Sequence, residues 1–405
     1  MIRLAAIGLG NRTRKYLEYV QAHPEEVSLV AVVEPDDIRR QSVAAGFGLP
    51  EAVCFRDAKG LFAADLQIDG VIIASPDNLH FDQTMAAISH GWHVLLEKPV
   101  AESIERCRQI SEAARRAKVQ VLICYVLRYH PYYRKLRELV RGGAIGEVVS
   151  VSHRVNIGTD RMTHTYVRGP WGIAADSSPS FLSKCCHDVD ILLWITGKHA
   201  RKVSSFGSLK VFRPENAPAG AADRCVDCPV ERSCPYSAVD LYQRRHDWVG
   251  NFVVPEGRTL DQVIAEELQS GRFGRCAYRC GSDVADHQTV SFQTEDGSTF
   301  DIQMNAFTRK DNRDTILSGT EGEIHADEQT IVLRRFAEGT KEVFDFREVF
   351  DQPLHGYADL SVVEDFVHSI REGRACASPV GEAVESHQIC YLAEQSRNES
   401  IILFI

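Results

Sequence analysis

Over the first 124 residues, short apolar runs alternate with stretches whose apolar positions recur at helical spacing. Ile2–Ile7 is an apolar run that stops at Gly8, and from Asn11 onward Tyr16, Leu17 and Val20 share one helical face. Val27–Val33 is a second run, ended by Glu34-Pro35, and residues 36–45 read as a helix. The alternation continues through a strand at 70–74, the polar loop Ser75-Pro76-Asp77-Asn78 and a helix at 80–90. A strand at 93–96 then closes on Glu97-Lys98-Pro99, a helix at 103–118 opens on the capping residue Ser103, and a strand follows at 119–124. Short apolar strands separated by helices predict a parallel sheet, because parallel neighbours need a long crossover between them.

The pattern changes after about Tyr125. Residues 147–155 alternate like a half-exposed strand, and 181–194 read as a helix. Further strands are expected at 289–292, 299–307, 315–318, 323–326 and 330–333, separated by turn pairs such as Asp296-Gly297 and Glu321-Gly322. Helices at 357–371 and 381–396 close the chain. The expected class is α/β. A doubly wound parallel sheet occupies 1–124, and 125–405 form an α/β domain with a large, mostly antiparallel open sheet. A cysteine-rich insertion interrupts the second part at about 212–285.

Composition narrows the function. The 405 residues are 44% apolar and 25% charged, which is ordinary for two globular domains. A net charge of -10 would repel phosphates and argues against nucleic-acid binding. No apolar run reaches about 18 residues, so no membrane span is expected. The apolar residues before Gly8 are too few for the core of an export signal, and a cytoplasmic location follows as the expectation.

Gly8-Leu9-Gly10 sits between the first strand and the first helix. Glycines there allow a tight turn and let a pyrophosphate approach the backbone at the helix N-terminus. The third glycine of the usual fingerprint is replaced by Thr13. Glu34 ends the second strand 24 residues after Gly10 and can accept both hydroxyls of a ribose. It would repel a 2′-phosphate, which favours NAD over NADP, while Arg12, Arg14, Arg39 and Arg40 pull the other way.

At Glu97-Lys98-Pro99 the chain resembles the Gfo/Idh/MocA family of oxidoreductases. The matching pieces are Gly8-Leu9-Gly10-Asn11-Arg12, Glu34-Pro35, Ser75-Pro76-Asp77-Asn78-Leu79-His80, Glu97-Lys98-Pro99 and His187-Asp188-Val189-Asp190. His355-Gly356 and Glu394-Gln395-Ser396-Arg397 also match. The resemblance implies a Rossmann domain followed by an α/β domain with an open sheet, and NAD(P) chemistry on sugars, cyclitols or related alcohols. It places Lys98 and His187 at the catalytic positions. It also places Gly8, Gly10, Asn11, Arg12, Glu34, Ser75, Pro76, Asn78, His80, Glu97 and Lys98 around the cofactor. A homo-oligomer, dimer or tetramer, is a further implication.

Oxidising a secondary alcohol requires removal of the hydroxyl proton as the hydride leaves. Lys98 ends a parallel strand on the side where ligands bind such sheets. As an ammonium it can stabilise a developing alkoxide, and as an amine it can take the proton. Ser183, Lys184, His187 and Asp190 share a helix, with Ser183 and His187 four apart and His187 and Asp190 three apart. The family usually has Asp where Ser183 stands. Lys184 is then either a second catalytic or substrate-binding cation, suited to an acidic sugar or a phosphate, or a solvent-side partner of Asp188. Asp190 is expected to orient His187 or to cap backbone. Arg128, Tyr129, His130, Arg168, Trp171 and His287 are candidate substrate contacts.

Cys225-x-x-Cys228-x5-Cys234, followed by Cys276 and Cys280, suggests a loop wrapped on a metal. Structural zinc on Cys225, Cys228, Cys234 and one of the two later cysteines is the first expectation, and an iron–sulfur cluster the second. Packed reduced thiols are the alternative, and Cys185 and Cys186 read as small core residues. Two activities compete. One is net dehydrogenation of a sugar or polyol. The other is an NAD-dependent glycoside hydrolase working through transient oxidation, elimination, hydration and re-reduction. A non-enzymatic sensor is a third class, disfavoured by retention of Lys98 and His187.

Overall fold

The computed structural model describes residues 1–350 and 357–405. The expected His355-Gly356 motif lies outside them. Two compact units are present: Met1–Val148 with Cys186–His199 and Ser318–Tyr391, and Val149–Cys185 with Ala200–Leu317 and Leu392–Ile405. The boundary expected near residue 124 falls just after the last strand of the first sheet, whereas compactness divides the chain into interleaved segments.

The first unit contains a six-stranded parallel sheet of β1 (Ile2–Ile7), β2 (Val27–Val33), β3 (Cys54–Phe55), β4 (Gly70–Ile73), β5 (His93–Leu96) and β6 (Val121–Ile123). The order is β3-β2-β1-β4-β5-β6. Order reverses between β1 and β4, which opens a crevice at the strands' carboxyl ends. The central strands are buried on both faces, which is why they read as unbroken apolar runs. Leu4, Ile72, Leu95 and Leu122 pack in one core with Tyr16 and Val20 of the helix Asn11–Ala22 and Val363 and Phe366 of the helix Ala358–Glu372. Ser103 caps the helix Ile104–Ala117 by accepting the Arg106 N–H.

Nine further strands make a mixed, mostly antiparallel sheet. They are β7 (Val148–Asn156), β8 (Ala200–Ser208), β9 (His287–Thr294), β10 (Thr299–Asn305), β11 (Asn312–Gly319), β12 (Gly322–Ala326), β13 (Thr330–Arg335), β14 (Lys341–Asp345) and β15 (Leu403–Phe404). In the first unit β12, β13 and β14 run antiparallel in succession. In the second unit β9 pairs antiparallel with both β10 and β8, β15 pairs with β8, and β7 runs parallel to β10. Among the described residues no helix is long and apolar enough to cross a membrane.

Candidate active site

The glycine turn has two glycines with different causes. Gly8 adopts φ +80°, and a Cβ there would lie 2.7 Å from the Ala74 carbonyl oxygen, so the turn itself demands glycine. Gly10 caps the helix Asn11–Ala22 with an extended backbone that any residue adopts, and a Cβ there would meet nothing within 4 Å. Its missing side chain leaves the first N–H groups of the helix open to an incoming group. Thr13 is fully buried, and its hydroxyl donates to the Gly8 carbonyl. A small residue still fits the helix–strand contact at the third glycine's place, and its hydroxyl satisfies the turn.

Glu34 leans over this turn. Its carboxylate accepts the Leu9 N–H at 2.8 Å and the Asp36 N–H at 3.1 Å. Arg40 donates to the Glu34 carbonyl and pairs with Asp37. Arg12 turns back over the sheet end, with Nε 2.8 Å from Glu97 and a terminal nitrogen 2.7 Å from Asp359. Glu97 also accepts from the Tyr16 hydroxyl and, at 3.1 Å, from the Lys98 N–H. Burial pushes the Glu97 carboxyl up. The Arg12 and Lys98 charges, with hydrogen bonds from Arg12 and Tyr16, outweigh it and hold it below its ordinary pKa.

Lys98 is half-buried at the end of β5, and its bond to Pro99 is cis. Neighbours fix the Pro99–Val100 peptide that follows it. His80 spans the site, with Nδ1 2.7 Å from the Pro99 carbonyl and Nε2 3.0 Å from that of Ser75. It thereby ties the Ser75-Pro76-Asp77-Asn78 loop to the lysine. The Val100 N–H donates to His387 Nε2 at 2.9 Å. His387 Nδ1 faces the Ala383 carbonyl at 2.8 Å and the Tyr125 hydroxyl at 3.1 Å. Since Nε2 accepts, the proton sits on Nδ1 and the ring is neutral. Burial lowers its pKa to about 4; the bond to Ala383 opposes this and the Lys98 charge adds to it.

His187 is half-buried on the helix Ser180–Thr196, and its ring stands 5.5 Å from that of Tyr125, centroid to centroid. The preceding thiol, Cys186, is within electrostatic range of the Lys98 ammonium, and burial pushes it up to about 12. Cys185 and Cys186 are fully buried, as packing residues should be. Lys98, Tyr125, His187 and His387 therefore form one neighbourhood within the first unit. Tyr125 and His387 were not read from the sequence, since neither has a local pattern that announces it.

Other expectations are corrected. Asp190 does not serve His187: its two carboxylate oxygens take a bidentate pair from Arg128 at 2.6 and 2.8 Å. Arg128 is thereby committed, and it also bonds Glu382 and the Ala377 carbonyl. A buried guanidinium needs such a set of acceptors, and these hold it within the fold. Tyr129 is buried with its hydroxyl on Asp365 at 2.8 Å, and His130 caps the helix Pro131–Arg141. Arg168 is buried and bonded to the carbonyls of Arg275 and Tyr236, inside the cysteine-rich segment.

In the second unit, Lys184 is only 5% exposed and donates to Asp311 at 3.0 Å, so a solvent-side pairing is not its environment. Arg161 engages the same carboxylate. Burial pushes Asp311 up, but the charges of Lys184, Arg161 and Arg313 prevail and lower its pKa. Trp171 is half-buried in a loop, and His287 opens β9 with Nδ1 2.8 Å from Asp286. All twelve cysteines are free thiols. Among the described residues no group of three or more His, Cys, Asp or Glu side chains, as they lie, is arranged to hold a metal ion.

An order reversal in a parallel sheet, an open helix N-terminus behind a glycine turn and a strand-end carboxylate define a dinucleotide-binding oxidoreductase domain. Residues 2–125 match the description "Oxidoreductase family, NAD-binding Rossmann fold", and 133–231 match the "GFO/IDH/MocA C-terminal domain". The chain belongs to the Gfo/Idh/MocA family. It is 25% identical over 310 residues to an inositol 2-dehydrogenase of Pseudarthrobacter chlorophenolicus, covering 76% of this chain and 84% of that one. A scyllo-inositol dehydrogenase from Lactobacillus casei, solved with NAD(H) and scyllo-inositol, shares its fold at TM-score 0.67 and 18% identity, covering 100% of this chain and 99% of that one. An oxidoreductase from Agrobacterium radiobacter, solved with NAD+, L-tartaric acid and magnesium, aligns at TM-score 0.72 and 15% identity, covering 100% and 98%.

Proposed function

We propose that the chain is an NAD-dependent dehydrogenase that oxidises a secondary hydroxyl of a cyclitol or sugar, with Lys98 and His187 as its catalytic pair. The observation that carries this reading is Lys98 itself. It is a half-buried lysine at a strand's carboxyl end, the backbone after it fixed by His80 and His387, beside the helix that carries His187. Gly10 fits a dinucleotide, since the fold has no need of glycine there and a side chain would obstruct the helix N-terminus. Glu34 suits a ribose with free hydroxyls. Arg40, which contacts its carbonyl, is already engaged by Asp37, so NAD is favoured over NADP.

When bound, NAD would supply the hydride acceptor. Lys98 holds the reacting hydroxyl and stabilises the charge that develops on its oxygen, and His187 takes the proton. The likeness to inositol 2-dehydrogenases supports a ring polyol as substrate.

The test is to give the purified protein NAD with cyclitols, free sugars and glycosides, following absorbance at 340 nm and aglycone release. Steady NADH formation on a cyclitol or free sugar is expected. Aglycone release without net NADH would replace this reading with the redox-neutral glycosidase. Silence on every substrate with NAD still bound would remove the enzymatic reading.

A further inference from the structure

The cysteine-rich segment is unused by this chemistry, yet its thiols converge. Cys225, Cys228, Cys234 and Cys276 all line one small cavity of about 10 Å³ in the second unit. That is on the order of one water-sized sphere. The backbone brings the four there. Successive tight turns, with the Cys228 N–H on the Cys225 carbonyl and the Cys234 N–H on that of Glu231, wind the first three around the cavity. Cys276 arrives from another stretch through an antiparallel bridge between Arg224 and Arg275 and a 2.8 Å bond from its own N–H to the Asp223 carbonyl. Cys225 and Cys276 thus each directly follow a bridge residue.

The donors around the sulfurs suit anions. The Ala238 N–H points at Cys225 Sγ at 3.5 Å. The N–H groups of Tyr236 and Tyr278, each two residues on, donate to Cys234 and Cys276. Arg168, 3% exposed, brings its guanidinium to 3.8 Å from Cys225 Sγ. The buried part of the local core is also small, Cys225, Ala238, Leu241, Tyr242, Ile264 and Leu268 with a half-buried rim including Phe252 and Phe273, so the segment gains from a staple. Cys280 is not among the cavity's lining residues; its thiol donates to the Cys276 carbonyl at 3.2 Å.

We propose that Cys225, Cys228, Cys234 and Cys276 bind one zinc ion as thiolates. As they lie, the four thiols ring the cavity without meeting at one point. On binding, each releases its proton to solvent and turns its sulfur inward to donate a lone pair to the ion. A cavity this small suits a single ion better than the four- or eight-atom core of an iron–sulfur cluster. Four thiolates fill a tetrahedron and leave no open position, so the site is structural.

The full-length protein is purified under reducing conditions and its zinc, iron and acid-labile sulfide are measured. Cys228→Ser, Cys276→Ser and Cys280→Ser are compared after a chelator challenge. Cobalt is then exchanged into the wild type. About one zinc per chain is expected in wild type and in Cys280→Ser. Cys228→Ser and Cys276→Ser should retain under about a tenth of it. Cobalt should show sulfur-to-metal charge transfer with tetrahedral ligand-field bands. The cobalt spectrum and the release of wild-type zinc by a thiol-blocking reagent need no variant to fold. Iron with labile sulfide, less than about a tenth of an equivalent of zinc in the wild type with no cobalt uptake, or zinc lost from Cys280→Ser and kept in Cys276→Ser would each overturn the assignment.

Discussion

The Val100 N–H donates to Nε2 of His387 across 287 residues of sequence, so the backbone just past Lys98 is anchored by the helix Val380–Glu399. A neutral imidazole is required for that bond. The folded chain holds His387 unprotonated down to a pKa of about 4, whereas an unfolded histidine takes its proton near pH 6.5. Between those values the unfolded state binds more protons, so stability falls as pH falls through this window and is fully present above it. The full contribution is about 3 kcal/mol at most. His387→Gln should flatten the dependence of thermal stability on pH between about 4 and 6.5. Part of the slope should persist, because His164 is likewise held down to about 4 by burial and by the charges of Arg168 and Arg161. An unchanged slope in the variant would mean the ring is not the neutral acceptor described here.

Gly8 and Gly10 should separate folding from cofactor binding. Gly8→Ala places a Cβ 2.7 Å from the Ala74 carbonyl oxygen at a positive φ and should cost more than about 1 kcal/mol of stability. Gly10→Ala meets no atom within 4 Å and an ordinary backbone, so its melting temperature should match the parent within about 2 °C. Its NAD affinity, read by fluorescence titration, should fall at least about tenfold, which is about 1.4 kcal/mol. A Gly10→Ala protein that binds NAD normally would remove the dinucleotide from this turn.

The first sheet was legible because its signals are local. Five of its six strands are buried apolar runs stopped by a turn, and the Gly8 turn, Glu34 and Lys98 sit at the ends of such runs; β3, only two half-buried residues long, has no run to read. β8 was missed because Lys202, Ser204 and Ser205 break the apolar pattern, although Val203 is buried. The parallel pairing of β7 with β10 was not readable, since the two strands are about 150 residues apart and register between distant strands leaves no mark in either. The same holds for side chains. Arg128, Arg168 and Lys184 look like exposed cations in sequence, and only folding shows that Asp190, two backbone carbonyls and Asp311 have taken them.

Lys98 and His187 should fail in the same way and differ from every structural variant. Lys98→Met and His187→Asn should each lower kcat/KM by about 10²–10⁴ on the substrate found by the 340 nm screen. Their melting temperatures and NAD affinities should stay near the parent's. Lys98→Arg should not restore activity, because a planar fork cannot replace a compact ammonium in a half-buried position. If Lys98→Met retained more than about a tenth of the parent kcat/KM, its charge would contribute less than about 1.4 kcal/mol to the transition state, too little for the catalytic role given to it.

Arg128 provides the contrasting case. Its guanidinium is 4% exposed and held by Asp190, itself buried, through a bidentate pair at 2.6 and 2.8 Å. Burial already pushes the Asp190 carboxyl above its ordinary pKa, and Arg128 is the charge that opposes this. Arg128→Met therefore strands a carboxyl in the interior and should cost about 3–5 kcal/mol, seen as a lower midpoint in urea unfolding. Replacing both partners, as Arg128→Met with Asp190→Leu, removes the unpaired group and should recover more than half of that loss. KM should be unchanged in the double variant. A rise in KM of about tenfold or more with stability recovered would return Arg128 to the substrate contacts that its sequence position first suggested.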